Sequence, residues 1–371
     1  MKLLFVGSGF ANAVIVERLK NVSQIKEIVV LDERSHTGGN CHTERCEETQ
    51  VMQHVYGPHI FHTSNKEVWD YVQKFDEFHE YKHKVKVVHN NELFSFPINL
   101  HTISQFFKKH LSPIEGKKLL SKLGENIKDP KNFEEQALAF VGKDLYEAFF
   151  KYYSIKQWGC DPKEIPASVL KRIPIRFNQD DSYHFSKYGG IPMNGYSHII
   201  KKMLSGSKVK IKLNTKFIPS KSYSERFDYI FYSGPIDEYF NYRYGQLGYR
   251  TVKFEKEIHD GDFQGCPQVN YCDIDIPYTR ITEHKHFAPF ETHDKTVIFK
   301  EYSVDTNKKL IPYYPKRLPN DIDLLDKYKL LKEKEKNVIF IGRLAKYKYM
   351  DMHQVIGESL DFSKNFINKI K

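Results

Sequence analysis

Two glycines and one acid near the start of the chain have the types and spacing to hold a dinucleotide. Gly7 and Gly9 flank Ser8 directly after the apolar run Lys2-Leu-Leu-Phe-Val6. Phe10, Ala11 and Asn12 lead into Ala13 to Leu19, which has helical spacing. A second apolar run, Glu27-Ile-Val-Val-Leu31, ends in Asp32. The order is strand, glycine turn, helix, strand, acid. Glycine backbone turns tightly and lets a pyrophosphate approach, and the helix N-terminus adds N–H donors and its dipole. An acid closing the second strand accepts from a ribose hydroxyl, so Asp32 is the ribose candidate. Asn12 stands where a third glycine is usual, which leaves two expectations: looser helix–sheet packing, or tolerance of a small polar residue there.

Gly38-Gly39-Asn40 narrows the choice of dinucleotide. A glycine pair shortly after the acid is what flavoproteins of this fold tend to show, and NAD enzymes seldom carry it. Without a Cβ, that backbone passes close to the adenine-side phosphates. FAD is therefore the expected cofactor. His54, His59 and His62 invite a metal reading, but no carboxylate or cysteine stands near them at ligand spacing, so no metal is expected.

These residues must be placed by a chain of 371 residues, long enough for two or three domains. The formal charge is +10, from 57 basic and 47 acidic residues. Such a charge suits an anionic ligand. The basic residues form no long block, which argues against a nucleic-acid-binding protein and for a solvated basic surface. Five cysteines, with no C-x-x-C, read as reduced thiols in a cytoplasm. The first apolar run is too short for a signal peptide, and none reaches the ~18 residues of a membrane span. A cytoplasmic protein is expected.

The periodicity divides the chain. Residues 1–80, 181–240 and 326–371 read as a split FAD-binding, Rossmann-like α/β domain. Residues 101–180 are a helical insertion, with Phe106, Leu119, Ala137 and Phe149 on successive apolar faces. Residues 81–100, a β-hairpin around Asn90-Asn91, and 241–325 form a twisted antiparallel β-sheet domain. Val338 to Ile341 is a last buried strand. An amphipathic helix, Met352 to Ile370, follows it.

Nine motifs then occur in one order over nearly the whole chain. They are Gly38-Gly39-Asn40, Tyr56-Gly57-Pro58-His59-Ile60-Phe61-His62-Thr63, Lys156-Gln157-Trp158-Gly159, Lys171-Arg172-Ile173-Pro174, Ser233-Gly234-Pro235-Ile236-Asp237, Pro277-Tyr278-Thr279-Arg280-Ile281, Glu283-His284-Lys285-His286-Phe287, Pro312-Tyr313-Tyr314-Pro315 and Tyr349-Met350-Asp351-Met352-His353-Gln354. In these the chain closely resembles the bacterial UDP-galactopyranose mutase family. The resemblance implies a flavoenzyme, an isomerase without net redox change, that interconverts UDP-galactopyranose and UDP-galactofuranose and needs reduced FAD. Its product supplies furanose for surface glycans, and bacterial members are commonly homodimers. In the family scheme flavin N5 attacks the anomeric carbon, UDP leaves, and the opened sugar recloses through another hydroxyl.

The resemblance also assigns residues. Arg172 and Arg280 neutralise the leaving diphosphate, where charge develops in the transition state. Tyr183, Tyr314 and Tyr349 contact the phosphates. Tyr153 stacks on the uracil and Trp158 is the mobile-loop tryptophan at the substrate. Ser154 and Asn270 match uridine- or sugar-side contacts. His59 and Ile60 lie against the isoalloxazine, with His59 either tuning N5 or responding to the redox state of the flavin. Gly342 and Arg343, with Met350, Asp351, Met352, Gln354, Val355 and Ile356, match C-terminal flavin contacts, Arg343 by charge and the helix start by backbone N–H groups. His83 stands where many bacterial members carry an asparagine near the sugar. That leaves galactose, its 2-acetamido form or both open, with galactose the default. The rival reading is a net-redox FAD oxidoreductase of the amine-oxidase-like fold, against which the arginine and tyrosine motifs argue.

Overall fold

The computed structural model describes residues 1–172 and 175–371, and the side chains of residues 171 and 172 lie outside the description. A parallel sheet carries the N-terminal motif. Its strand order is Val209–Lys212, Glu27–Leu31, Lys2–Val6, Tyr229–Tyr232, Val338–Phe340, with every pair parallel. Apart from the largely exposed edge strand Val209–Lys212, the strands lack a polar face because both faces are covered. Leu3, Phe5, Ile28 and Val30 pack under the helices Phe10–Leu19, Tyr196–Leu204 and Met352–Ile370. Leu4, Val29 and Leu31 point the other way, into a core with Tyr232, Tyr328 and Phe340. Successive strand residues thus serve two separate cores.

The second sheet has the order Tyr314–Pro315, Tyr249–Asp260, Lys295–Asp305, Arg280–Glu283, Gln268–Tyr271, Val85–His89, Glu92–Phe96. It is antiparallel except where Gln268–Tyr271 meets Val85–His89 in parallel. That seam joins two distant pieces of chain, so no hairpin dictates its direction. Helices cover the hairpin end. Phe133–Tyr146 breaks its regular backbone at Gly142 and is followed by a π-helical turn, Glu147–Lys151, and the helix Tyr152–Trp158. Phe149 meets Phe94 of the hairpin at 5.1 Å between ring centroids. The helical layer therefore rests on the sheet and carries Tyr153, Ser154 and Trp158 with it.

Asn12 does not loosen the packing. It is fully buried, and its Nδ2 donates to Val6 O at 2.8 Å, Gly7 O at 2.9 Å and Ser233 Oγ at 3.2 Å. The side-chain amide ties the helix to two strands where a glycine would only have let them approach. Among the described residues no helix is long and apolar enough to cross a membrane. All five cysteines are free.

Candidate active site

A cavity of about 850 Å3 lies where the parallel sheet, the second sheet and the helical layer meet. The glycine turn forms part of its wall. Gly7 has φ +92°, and a Cβ there would stand 2.2 Å from Ser233 Oγ. Gly9 is the N-cap of the helix Phe10–Leu19, and no side chain caps that helix start. Its first N–H groups therefore open toward the cavity with the positive end of the dipole. Gly38, Gly39 and Asn40 line the same wall. Asp32 is buried and accepts from Ser8 N at 2.8 Å, Ser8 Oγ at 2.6 Å and Arg34 N at 3.0 Å. It holds the glycine turn as well as facing the cavity. Such a glycine cradle at a helix N-terminus, closed by an acid, fits the phosphates and ribose of a dinucleotide.

Opposite lies a polar row built by strand register. Asn270 pairs with Arg280, and Arg280 with Glu301, on three adjacent strands. Residues directly opposite one another share a face, so the three side chains stand side by side in the cavity. Arg280 Nε donates to Glu301 Oε2 at 2.8 Å, and Glu301 is 1% exposed. Burial works against the charge on Arg280, but Glu301 outweighs it and holds the guanidinium pKa above its ordinary value. A fixed cation backed by a buried carboxylate is suited to an anionic ligand group.

Aromatic side chains close this part of the wall. Tyr153, Ser154, Trp158, Tyr183, Tyr314 and Tyr349 all line the cavity. Trp158 meets Tyr314 edge-on at 5.6 Å, and Tyr314 meets Tyr349 at 6.1 Å. Gln157 Nε2 donates to the Tyr314 hydroxyl. Burial pushes the phenol pKa of Tyr153 and Tyr314 up, so both keep their protons as donors.

His59 and Ile60 line the cavity between the two halves. His59 Nδ1 donates to Gly57 O at 2.7 Å. Burial, with the charges of Arg343 and Arg280, pushes its pKa down to about 4. The ring is therefore neutral at pH 7 with an acceptor at Nε2. His83 is buried and pushed down to about 3 by burial. Its Nε2 donates to Gln268 Oε1 at 3.3 Å, Gln268 Nε2 donates to Asn270 Oδ1 at 2.9 Å, and Nδ1 has no partner among the described residues.

The C-terminal contacts divide. Gly342, Arg343, Met350, Asp351, Met352 and Val355 line the cavity with Phe10. Gln354 and Ile356 do not. The Gln354 side chain turns back to accept from Asp351 N at 2.9 Å, and Ile356 is fully buried in the core against the N-terminal helix. The N–H groups of Gln354 and Val355 are spent on Asp351 O. A helix that long-packs its second turn has donors to offer only at its first residues. The Arg172 side chain lies outside the described residues; its backbone closes the 3-10 helix Ala167–Arg172.

Several residues here escaped the sequence reading. Arg34 lines the cavity, with its guanidinium 4.4 Å from the Tyr56 ring centroid and Nη2 donating to Asn40 Oδ1 at 2.8 Å. Its signal was its place two residues past the acid. Glu301 carried no local signal, because only register sets it beside Arg280. The histidine reading also changes. His54 is an internal acceptor for His59 N at 3.0 Å. His62 meets Asp351 and His353, a set whose ligand atoms lie within 4.8 Å of one another. Sequence spacing concealed that carboxylate because it comes from the far end of the chain.

Comparison with known proteins agrees over the whole length. Residues 148–349 match the family model for UDP-galactopyranose mutase, and residues 6–75 match that for an NAD(P)-binding Rossmann-like domain. A probable UDP-galactopyranose mutase of Klebsiella pneumoniae is 48% identical over 99% of this chain and 95% of its own. The chain belongs to the UDP-galactopyranose mutase family. It is an isomerase by that membership. A dTDP-fucopyranose mutase of Escherichia coli is 46% identical over 100% of this chain and 99% of its own. A crystal structure of reduced UDP-galactopyranose mutase matches the fold with a TM-score of 0.76 at 14% identity, covering 99% of this chain and 94% of that one. A putrescine oxidase variant shares the fold at a TM-score of 0.58 and 11% identity, covering 99% of each chain. The match over residues 6–75 gives the chain a Rossmann-like dinucleotide-binding domain.

Proposed function

We propose that this chain interconverts UDP-galactopyranose and UDP-galactofuranose, using FAD held non-covalently and active when reduced. The observation that carries the reading is the Asn270–Arg280–Glu301 row facing the same cavity as the glycine cradle. Gly7, Gly9, Asp32, Gly38, Gly39, Asn40, Gly342 and Arg343 would hold the cofactor. His59 and Ile60 would meet its ring, and Met350, Asp351, Met352 and Val355 would flank it. Reduced flavin supplies the electron-rich centre that the protein itself lacks.

The rest is the work of this chain's residues. Arg280, with Arg172, neutralises the diphosphate as the sugar–phosphate bond breaks, and favours the transition state over the ground state. Tyr314 and Tyr349, with Tyr183, donate to phosphate oxygens. Tyr153 and Ser154 seat the nucleoside. Trp158 and the tyrosines around it exclude water, which strengthens each of these contacts. His59 stays neutral beside the cofactor ring and accepts through Nε2. His83 and Asn270 present hydrogen-bonding groups to the sugar. A buried acceptor such as His83 Nδ1, with no donor among the described residues, suits a sugar hydroxyl. Galactose is the default sugar, since each alternative also carries hydroxyls that could fill this role. The 46% identical relative named for dTDP-fucopyranose makes the deoxy sugar the second reading.

The test is turnover by dithionite-reduced enzyme of UDP-galactose, UDP-N-acetylgalactosamine and dTDP-fucose in parallel. UDP-galactose should have the highest kcat/KM, with no reductant consumed in proportion to product. Equal rates for oxidised and reduced enzyme, or stoichiometric reductant use, would overturn the reading. In the cell the enzyme would work as a cytoplasmic homodimer.

A further inference from the structure

Arg250 touches neither the cavity nor any residue of the glycine cradle, yet it is 2% exposed. A guanidinium this deep must have its donors met. Its partners all belong to one junction. Nε donates to Gln157 O at 3.0 Å and to Ser303 Oγ at 3.0 Å. Nη2 donates to Lys156 O at 3.2 Å, and Nη1 to Asp305 Oδ1 at 2.7 Å. Ser303 Oγ itself donates to Gln157 O at 2.7 Å. The two carbonyls are the open C-terminal end of the helix Tyr152–Trp158, where a cation is stabilised by the dipole.

The chain makes room for this. Gly159 follows the tryptophan with φ +68°, and a Cβ there would stand 2.2 Å from Arg250 Nη1. The glycine of the Lys156-Gln157-Trp158-Gly159 motif thus serves the arginine as well as the turn. Two cavity residues hang on the junction: Trp158 directly, and Tyr314 through Gln157 Nε2. The segment that ends at Arg172 leaves from the same point.

We infer that Arg250 is a positioning residue, which locks the end of the helix Tyr152–Trp158 to the second sheet and so fixes Trp158 and Tyr314 at the substrate. It acts through carbonyls it holds, and touches no ligand. The inference rests on the proposed function only for its activity readout.

The experiment uses flavin-loaded enzyme carrying Trp69→Phe, so that Trp158 is the sole emitter of the chain's two tryptophans. Arg250→Lys keeps the charge and loses the fork. Gly159→Ala leaves the guanidinium intact but pushes it away. In both, acrylamide quenching of Trp158 should rise while flavin content stays near the parent value and Tm falls only by the few degrees that local strain and lost hydrogen bonds cost. kcat/KM for UDP-galactose should fall about ten- to a hundredfold, the range expected for misplaced groups. If Arg250→Lys does not fold, Gly159→Ala decides alone. Unchanged quenching in the folded variants, unchanged kcat/KM, or activity lost only in step with flavin and Tm would each overturn the inference. Should the parent enzyme not act on UDP-galactose, the quenching still decides on Arg250 and only the function proposal falls.

Discussion

The two halves of the cavity wall are built in opposite ways. The glycine half uses backbone: a turn, a helix start and an acid within the first forty residues. The sheet half uses side chains gathered from five separate stretches of chain, among them Tyr153, His83, Asn270, Arg280 and Tyr314. The first half needs the absence of Cβ atoms, and the second needs particular atoms held in register. A substitution therefore fails differently in each. The first should lose cofactor, and the second should lose rate while the cofactor stays.

The sharpest break is Arg280→Ala. Removing a donor aimed at developing charge costs about 2.7–4 kcal/mol, a hundred- to thousandfold in turnover. Register adds a second cost. Glu301 would keep a buried carboxylate without its cation, and breaking such a pair costs about 3–5 kcal/mol of stability. Arg280→Ala combined with Glu301→Gln should therefore regain Tm without regaining turnover. Arg280→Lys should restore part of the rate, having charge but no fork. Single-turnover rates, Tm and flavin content measured together separate these effects. A single alanine variant with normal turnover would remove Arg280 from the reaction.

Gly7→Ala tests the other half. The new Cβ meets Ser233 Oγ at 2.2 Å, and φ +92° is strained for any other residue. The flavin-to-protein absorbance ratio should fall at least about tenfold, since strain of roughly 1–2 kcal/mol adds to the clash. Adding excess FAD should restore some turnover. Full flavin content in this variant would contradict the assignment of the turn.

The same contrast explains what could be read from the sequence. The glycine half was legible because its chemistry is local: Gly7, Gly9 and Asp32 sit on consecutive elements with fixed spacing. The parallel core, with Leu3 and Leu4 on opposite faces, and the final helix Met352–Ile370 follow from periodicity alone. The sheet half was legible only through resemblance. Asn270, Arg280 and Glu301 are neighbours by strand register, and register leaves no mark in the composition of any one strand. Asn12 was only half legible: spacing left looser packing or mere tolerance open, whereas its amide makes three bonds. Gln354 and Ile356 were assigned with their motif, yet one caps its own helix and the other fills the core.

Lys156 sharpens the comparison with a smaller effect. Its Nζ donates to the carbonyls of Tyr271, Asp273, Ile276 and Tyr278, at 2.8, 2.9, 2.9 and 3.2 Å. That connection leads into Arg280. Lys156→Met keeps the length of the stem but leaves these carbonyls without the donor, at about 1–3 kcal/mol. Turnover should fall about tenfold through displaced Arg280, less than in Arg280→Ala, and flavin should stay. A loss of flavin instead would mean that the two halves are coupled through this loop.

The weakest effect is a pH dependence that belongs to the sheet half. Backbone N–H groups and glycines do not titrate, but His83 and His284 do, and burial pushes both down to about 3 in the fold. In the unfolded chain a histidine has a pKa of about 6.5. The unfolded state therefore takes up protons first as pH falls. The stability held in these neutral rings is complete above about 6.5, declines below it, and levels off near the folded value of about 3. Chemical denaturation at pH 7, 6 and 5 should show this decline before most carboxylates protonate. His83→Asn should reduce the slope of stability against pH by up to about one proton. His36, close to the glycine pair in sequence but outside the cavity wall, is also lowered, chiefly by burial, and less than His83. His36→Asn should change the slope less. If the two substitutions flatten the profile equally, the titrating groups are not confined to the sheet half, and the division between a backbone-built and a side-chain-built wall does not extend to stability.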